Sequence, residues 1–299
     1  MSRRYPAMLI ALALIWGASF MFIKVAVREL TPATLILGRL GLAALTLAVV
    51  VPLVIGSRTT VAELREHWRW LSVVALVNTA IPFWLLSWGE TRIDSGLASI
   101  LQAAVPIFNA VIAFAFFREV RVTGMRLVGV GVGFVGVALL VGAQPHGKVL
   151  GALAVVGMAF CYGLGGLLTG RHLRSASPLV VALGSSAVAA LIVLPAGVLE
   201  APHHAPGWKV VGSVVALGVP GTALAYLLFF GMIAGPGAAF ASLVTYLIPP
   251  IALAYGAVFL GERFGASAYS GLALLLGGVA LGCGFTGSRL GRRRLASEA

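Results

Sequence analysis

The chain has 299 residues, of which 60% are apolar and only 10% are Asp, Glu, Lys or Arg. An ordinary soluble domain carries about a quarter charged residues, and a mean hydropathy of +1.03 leaves too little polar side chain to coat a water-soluble globule. The composition describes an integral membrane protein and excludes a soluble enzyme, a disordered chain and, despite a net charge of +12, a nucleic-acid binder.

Roughly 20 apolar residues cross about 30 Å of hydrocarbon, so charge-free stretches mark the spans. Ten helices are expected, at 6–27, 34–56, 70–88, 94–116, 123–142, 149–170, 178–198, 209–232, 237–260 and 266–286. The 52 uncharged residues from 210 to 261 are too many for one helix, and Gly235-Pro236-Gly237 divides them as a turn would. Continuous Leu/Ala/Val-rich runs exclude the two-residue alternation of a β-barrel. Ser2-Arg3-Arg4 could open a signal peptide, but the apolar run behind it continues to Lys24 and reads as the first span. The longest connection expected is 57–69, which leaves no separate soluble domain. Cys161 and Cys283 both fall inside spans and read as packing residues rather than a disulfide.

Counting Lys and Arg between alternate spans puts fourteen on one side and six on the other, with Arg39 inside the second helix. By the positive-inside rule both termini are expected in the cytoplasm of a multi-pass inner-membrane protein, its basic excess facing lipid headgroups.

The chain also repeats itself. A shift of 143 places Ala98, Ser99, Pro106, Phe116 and Glu119 on Ala241, Ser242, Pro249, Phe259 and Glu262. With a one-residue slip, Gly136-Val137-Ala138-Leu139 meets Gly278-Val279-Ala280-Leu281, and near each front Thr31-Pro32 corresponds to Ser177-Pro178. Five spans per half is an odd number, so the second half, 144–299, enters from the side opposite to the first, 1–143. The fold expected is all-α, ten transmembrane helices in two inverted repeats, with a site at the midplane between them.

These residues carry a resemblance. Ile15-Trp16-Gly17-Ala18-Ser19-Phe20, Pro32 followed by Gly38-Arg39, and Gly261-Glu262-Arg263 before a glycine-rich helix resemble the drug/metabolite transporter superfamily with two EamA-type repeats, over residues 6–286. Within it the chain is most similar to bacterial exporters of aromatic and other amino acids. It departs from the pattern at Phe117-Arg118-Glu119, at Phe160 and at Ser185, where the second half lacks the arginine of the first. The resemblance implies export of small amphipathic metabolites, with no cofactor.

Polar side chains deep in spans are functional candidates by default. All nine acids and all five histidines sit at span ends or in loops, so no midplane carboxylate or imidazole is expected to carry a proton, bind a metal or hydrolyse a peptide. A cavity lined by neutral groups follows, and with it facilitated rather than tightly proton-coupled movement. The candidate lining residues are Trp16, Ser19, Asn78, Trp84, Ser99 and Gln102 from the first half and Tyr162, Tyr226, Ser242, Thr245 and Tyr246 from the second. Pro106 and Pro249 each leave a carbonyl one turn earlier without its donor, near Gln102 and Thr245, where a substrate ammonium could use it. Pro82, Pro106, Pro220 and Pro249, with Gly218 and Gly221, are expected bending points.

Each candidate has a plainer reading. Ser and Thr in spans often bond back to their own helix, and Trp84 and Trp88 form one stripe that an aromatic belt would use. Lys24, Arg39, Glu90 and Asp94 are either snorkelling cations beside neighbouring acids or an external gate of ion pairs. Glu119 and Glu262 are expected to pair with nearby arginines or to cap the helix that follows. Gly129/Gly133, Gly166/Gly170 and Gly278/Gly282 are small-xxx-small pairs, and the helices carrying the first and last are expected to form an outer brace or an oligomer contact. Rival functions remain: a sugar-phosphate or drug exporter, which would want Lys or Arg at depth, or a membrane sensor or scaffold, which would want a long polar loop.

Overall fold

The computed structural model describes residues 4–116, 125–144 and 146–283. Their regular structure is all helical: α1 (Arg4–Ala26), α2 (Pro32–Ile55), α3 (Ser57–Glu90), α4 (Ser95–Ala115), α5 (Met125–Gly142), α6 (Lys148–His172), α7 (Pro178–Leu199), α8 (Trp208–Ala234), α9 (238–260) and α10 (Ala266–Cys283). Seven are long and apolar enough to cross a membrane, and α5, α9 and α10 carry shorter apolar stretches. The protein is a multi-pass membrane protein of ten helices in two inverted repeats.

One boundary differs from the sequence reading. Residues 57–69 are the first turns of α3, not a connection. Gly56 adopts φ +90° and turns the chain straight from α2 into Ser57, and the Thr60 hydroxyl donates to the Gly56 carbonyl. At 1.5 Å per residue the 34 residues of α3 run about 50 Å, so its charged beginning projects past the hydrocarbon.

The packing follows the repeat. Helix α2 lies along α7 and α5 along α10, each beside its own repeat partner, while α1 against α8 is matched by α6 against α3. The α5–α10 contact is backbone to backbone: a Cβ on Gly278 would lie 2.6 Å from the Gly129 carbonyl oxygen and 2.6 Å from the Gly133 nitrogen. These two helices brace each other within one chain. The Gly166/Gly170 pair behaves differently, with open space at Gly170. The close approaches on α6 are instead at Gly163, against Phe108 and Asn109, and at Gly165, against Asn78.

Three carboxylates tie remote helix starts together. Glu29 accepts from the Gly207 N–H (2.8 Å) ahead of α8, and Glu63 from the Ser177 N–H (2.7 Å) ahead of α7. Glu262 accepts from Ser95 N–H (2.8 Å), Gly96 N–H (3.1 Å) and the Ser95 hydroxyl (3.0 Å). It therefore caps α4 rather than the helix that follows it, because Gly261 ends α9 in the left-handed conformation (φ +69°) and swings the next residue back across the bundle. Glu119 and the segment around it lie outside the described residues.

Candidate functional site

The decisive backbone feature is a pair of π-turns. Residues Leu76–Ala80 of α3 and Val219–Leu224 of α8 each open the helix to i→i+5 bonding, and the shift of 143 that relates the two halves relates these turns as well. Such widened turns expose backbone and re-aim side chains, and they recur at functional sites. Pro82 follows the first turn and Pro220 lies inside the second.

Between the turns is a cavity of about 320 Å³, walled by α1, α2, α3, α4, α6, α8 and α9. Ligand pockets run from about 300 Å³ upward, so a small metabolite fits. Its apolar wall is aromatic. Trp16 and Phe229 meet at a 46° tilt with centroids 5.5 Å apart, and Phe83 meets Tyr162 edge-on at 6.5 Å. Phe20, Ile23 and Leu86 also line it, toward the C-terminal end of α1. Beyond them the Lys24 ammonium donates to the carbonyls of Glu90 and Ile93, both at 2.7 Å, and clips α1 to the turn between α3 and α4.

The polar lining sorts into two kinds. The hydroxyls of Ser19, Ser99 and Thr245 donate to their own helices, at the Ile15, Gly96 and Ser242 carbonyls, the back-bonding that spanning Ser and Thr favour. The side chains of Asn78, Gln102, Tyr162 and Tyr226 also line the cavity. Asn78 has its place because Gly165 has no side chain: a Cβ there would sit 2.5 Å from the Asn78 amide oxygen.

Arg39 also lines the cavity, so its wall is not neutral as the sequence reading expected. The guanidinium does not snorkel to the span end. Its Nε donates to the Thr222 hydroxyl (3.0 Å), which donates in turn to the Leu217 carbonyl five residues back (2.8 Å). One face lies 4.1 Å from the Phe83 ring centroid. The π-turn of α8 and a ring from α3 therefore hold the side chain, only 7% exposed, in the wall.

The remaining candidates are elsewhere. Trp84 is 41% exposed and stacks on Trp88, over which Arg92 sits at 3.5 Å, the arrangement of an interfacial belt. Ser242 is exposed in the turn that interrupts α9, and Tyr246 is half-buried outside the cavity lining. The four charged residues singled out together form no ion pair with one another among the described residues: Arg39 is in the cavity wall, Lys24 bonds the backbone carbonyls of Glu90 and Ile93, and Asp94 faces Lys148 at 3.8 Å. Glu90 is completely buried, with no hydrogen-bond partner for its carboxylate among the described residues. Pro106 is the second residue of the second segment of α4, which begins at Val105 after a break at Ala103-Ala104, and Pro249 lines the cavity. Sequence reasoning passed over Phe20, Phe83, Phe229 and Thr222. The last had a signal, since the repeat places Thr222 on Thr79 beside Asn78. Among the described residues no three His, Cys, Asp or Glu side chains gather where a metal could be held.

The model of the EamA-like transporter family matches twice, over residues 4–142 and 149–282. The chain belongs to this family. It is 32% identical, over 94% of its length and 93% of the other chain, to a probable terminal-alkyne amino-acid exporter of Streptantibioticus cattleyicolor. A probable amino-acid metabolite efflux pump of Salmonella typhimurium is 25% identical over 93% and 94% of the two chains. A solved crystal structure shares the fold with a TM-score of 0.66, covering 94% of this chain and 98% of that one at 18% identity. Family and relatives are transporters of small molecules, and this EamA-type protein is a membrane transporter.

Proposed function

We propose that this transporter exports amino acids or closely related amphipathic metabolites across a bacterial inner membrane by alternating access. The observation that carries the reading is the aromatic cavity held between two repeat-related π-turns, each a place where a span can bend. The repeats, 1–143 and 144–299, would rock against each other around it. The Lys and Arg bias orients both termini to the cytoplasm, so the end of the cavity that lies toward Lys24 is external. The names of the two relatives support the amino-acid class.

The movement is facilitated in this reading. The described cavity lining contains no carboxylate or imidazole, and Glu90 lies one turn beyond Leu86, outside it. Arg39 favours one rival in particular, a sugar-phosphate or other organic-anion exporter, because a cation at depth suits an anion. A single guanidinium beside rings and amides suits a monocarboxylate better than a phosphate dianion. Counterflow of a labelled panel into proteoliposomes containing only this protein tests the proposal. Exchange of amino acids without a pH gradient or membrane potential is expected. Exchange of sugar phosphates alone would replace the substrate class, and an imposed proton gradient that concentrates a zwitterion severalfold would refute the facilitated mechanism.

A further inference from the structure

The cavity wall is electrically polar, and its two kinds of polar group come from different helices. On α2, Arg39 spends one of its five N–H donors on Thr222 and one face on Phe83. Among the described residues no hydrogen bond engages its Nη groups, and the side chain lines the cavity. Asn78 and Gln102 add amides that bond no protein group among the described residues. On α4 and α9 the wall carries the opposite polarity. Residue 106 is proline and has no N–H, so the Gln102 carbonyl lacks its helical donor; Pro249 does the same to the Thr245 carbonyl, and Pro250 behind it removes the next donor along. Gln102, Thr245 and Pro249 all belong to the cavity lining. A carbonyl in a low-dielectric wall is a partner for a cation, and a buried guanidinium is a partner for a carboxylate.

A substrate with one charge would leave one of these poles unmatched, at the cost of a stranded polar group. A zwitterion satisfies both. We propose that the cavity binds an α-amino acid in one fixed orientation, its carboxylate on Arg39 and its ammonium against the proline-freed carbonyls of Gln102 and Thr245, with the side chain among Trp16, Phe83 and Phe229. The inference rests on the amino-acid reading above and adds which protein groups read which end of the substrate.

Binding of labelled L-phenylalanine to the purified full-length transporter tests it, with competition by 2-phenylethylamine, which lacks the carboxylate, and 3-phenylpropionate, which lacks the ammonium. In the native protein both analogues should compete at least tenfold more weakly than phenylalanine. Arg39→Gln should weaken phenylalanine and phenylpropionate at least tenfold and leave phenylethylamine within twofold. Pro249→Ala returns an N–H to the Thr245 carbonyl, so it should weaken phenylalanine and phenylethylamine and spare phenylpropionate. Arg39→Lys, which keeps the charge without the fork, should fall between native and Arg39→Gln and guards against misfolding of the latter. Equal competition by all three ligands in the native protein, or equal loss of all three in both variants, would overturn the orientation while amino-acid counterflow still stood. Absence of counterflow for every amino acid would remove the amino-acid reading and this inference with it.

Discussion

In the second half of the chain the π-turn at Val219–Leu224 presents Thr222 to Arg39. In the first half the equivalent turn, Leu76–Ala80, carries Thr79 and packs against α7, where the residue matching Arg39 is Ser185. Among the described residues Ser185 makes no hydrogen bond to another helix; its hydroxyl donates to the Val181 carbonyl of its own helix. The repeat thus supplies two equivalent backbones, and unmatched side chains, Arg39 foremost and Asn78 opposite Gly221, make the cavity asymmetric. In the proposed cycle an inverted pair of scaffolds would let the protein open to either side, whereas the proposed zwitterionic substrate would need a wall with distinct ends.

This contrast can be broken or sharpened by substitution. The largest effect should come from Arg39. Arg39→Gln is expected to lower amino-acid counterflow at least tenfold with the protein still monodisperse, and Ser185→Ala to stay within twofold; comparable losses at both sites would mean that the two halves contribute equally. A smaller loss, about threefold to tenfold, is expected from Asn78→Ala. Gly165→Ala should reproduce it, because the new methyl would occupy the place of the Asn78 side chain. Normal transport in both would remove the first π-turn from the binding site.

Next in size is a stability effect with no counterpart among the lining residues. Glu262→Ala strands the Ser95 and Gly96 N–H groups at the start of α4 and should cost about 1–3 kcal/mol, read as a lower melting midpoint in detergent. An unchanged midpoint would show that water serves these donors equally well. Smallest are the substitutions outside the cavity. Ser242→Ala is expected to transport within twofold of native, as is Glu90→Gln when the substrate gradient alone drives movement. Loss of transport in Glu90→Gln would bring a titrating carboxylate into the cycle and break the facilitated mechanism.

Much of the molecule was legible as sequence because hydropathy acts locally and adds along the chain: charge-free runs must be helices in lipid, since no other partner exists for their backbone groups. The same logic made the repeat, the proline breaks, the amides Asn78 and Gln102 and the rings of Trp16, Tyr162 and Tyr226 visible, but not those of Phe20, Phe83 and Phe229. Where the reading missed, local information was insufficient. The segment 57–69 is polar enough for a loop, and only Gly56 and the docking of Glu63 on Ser177 make it the start of a helix. Arg39 sits within ten residues of the start of its helix, where a long cation ordinarily snorkels outward. It turns inward because Thr222, 183 residues away, and the ring of Phe83 wait for it there. Sequence alone determined that the chain spans the membrane as ten helices in two inverted halves. Tertiary structure decided which polar groups meet across those halves, because a hydrogen bond depends on a few ångströms between residues that the chain itself holds far apart.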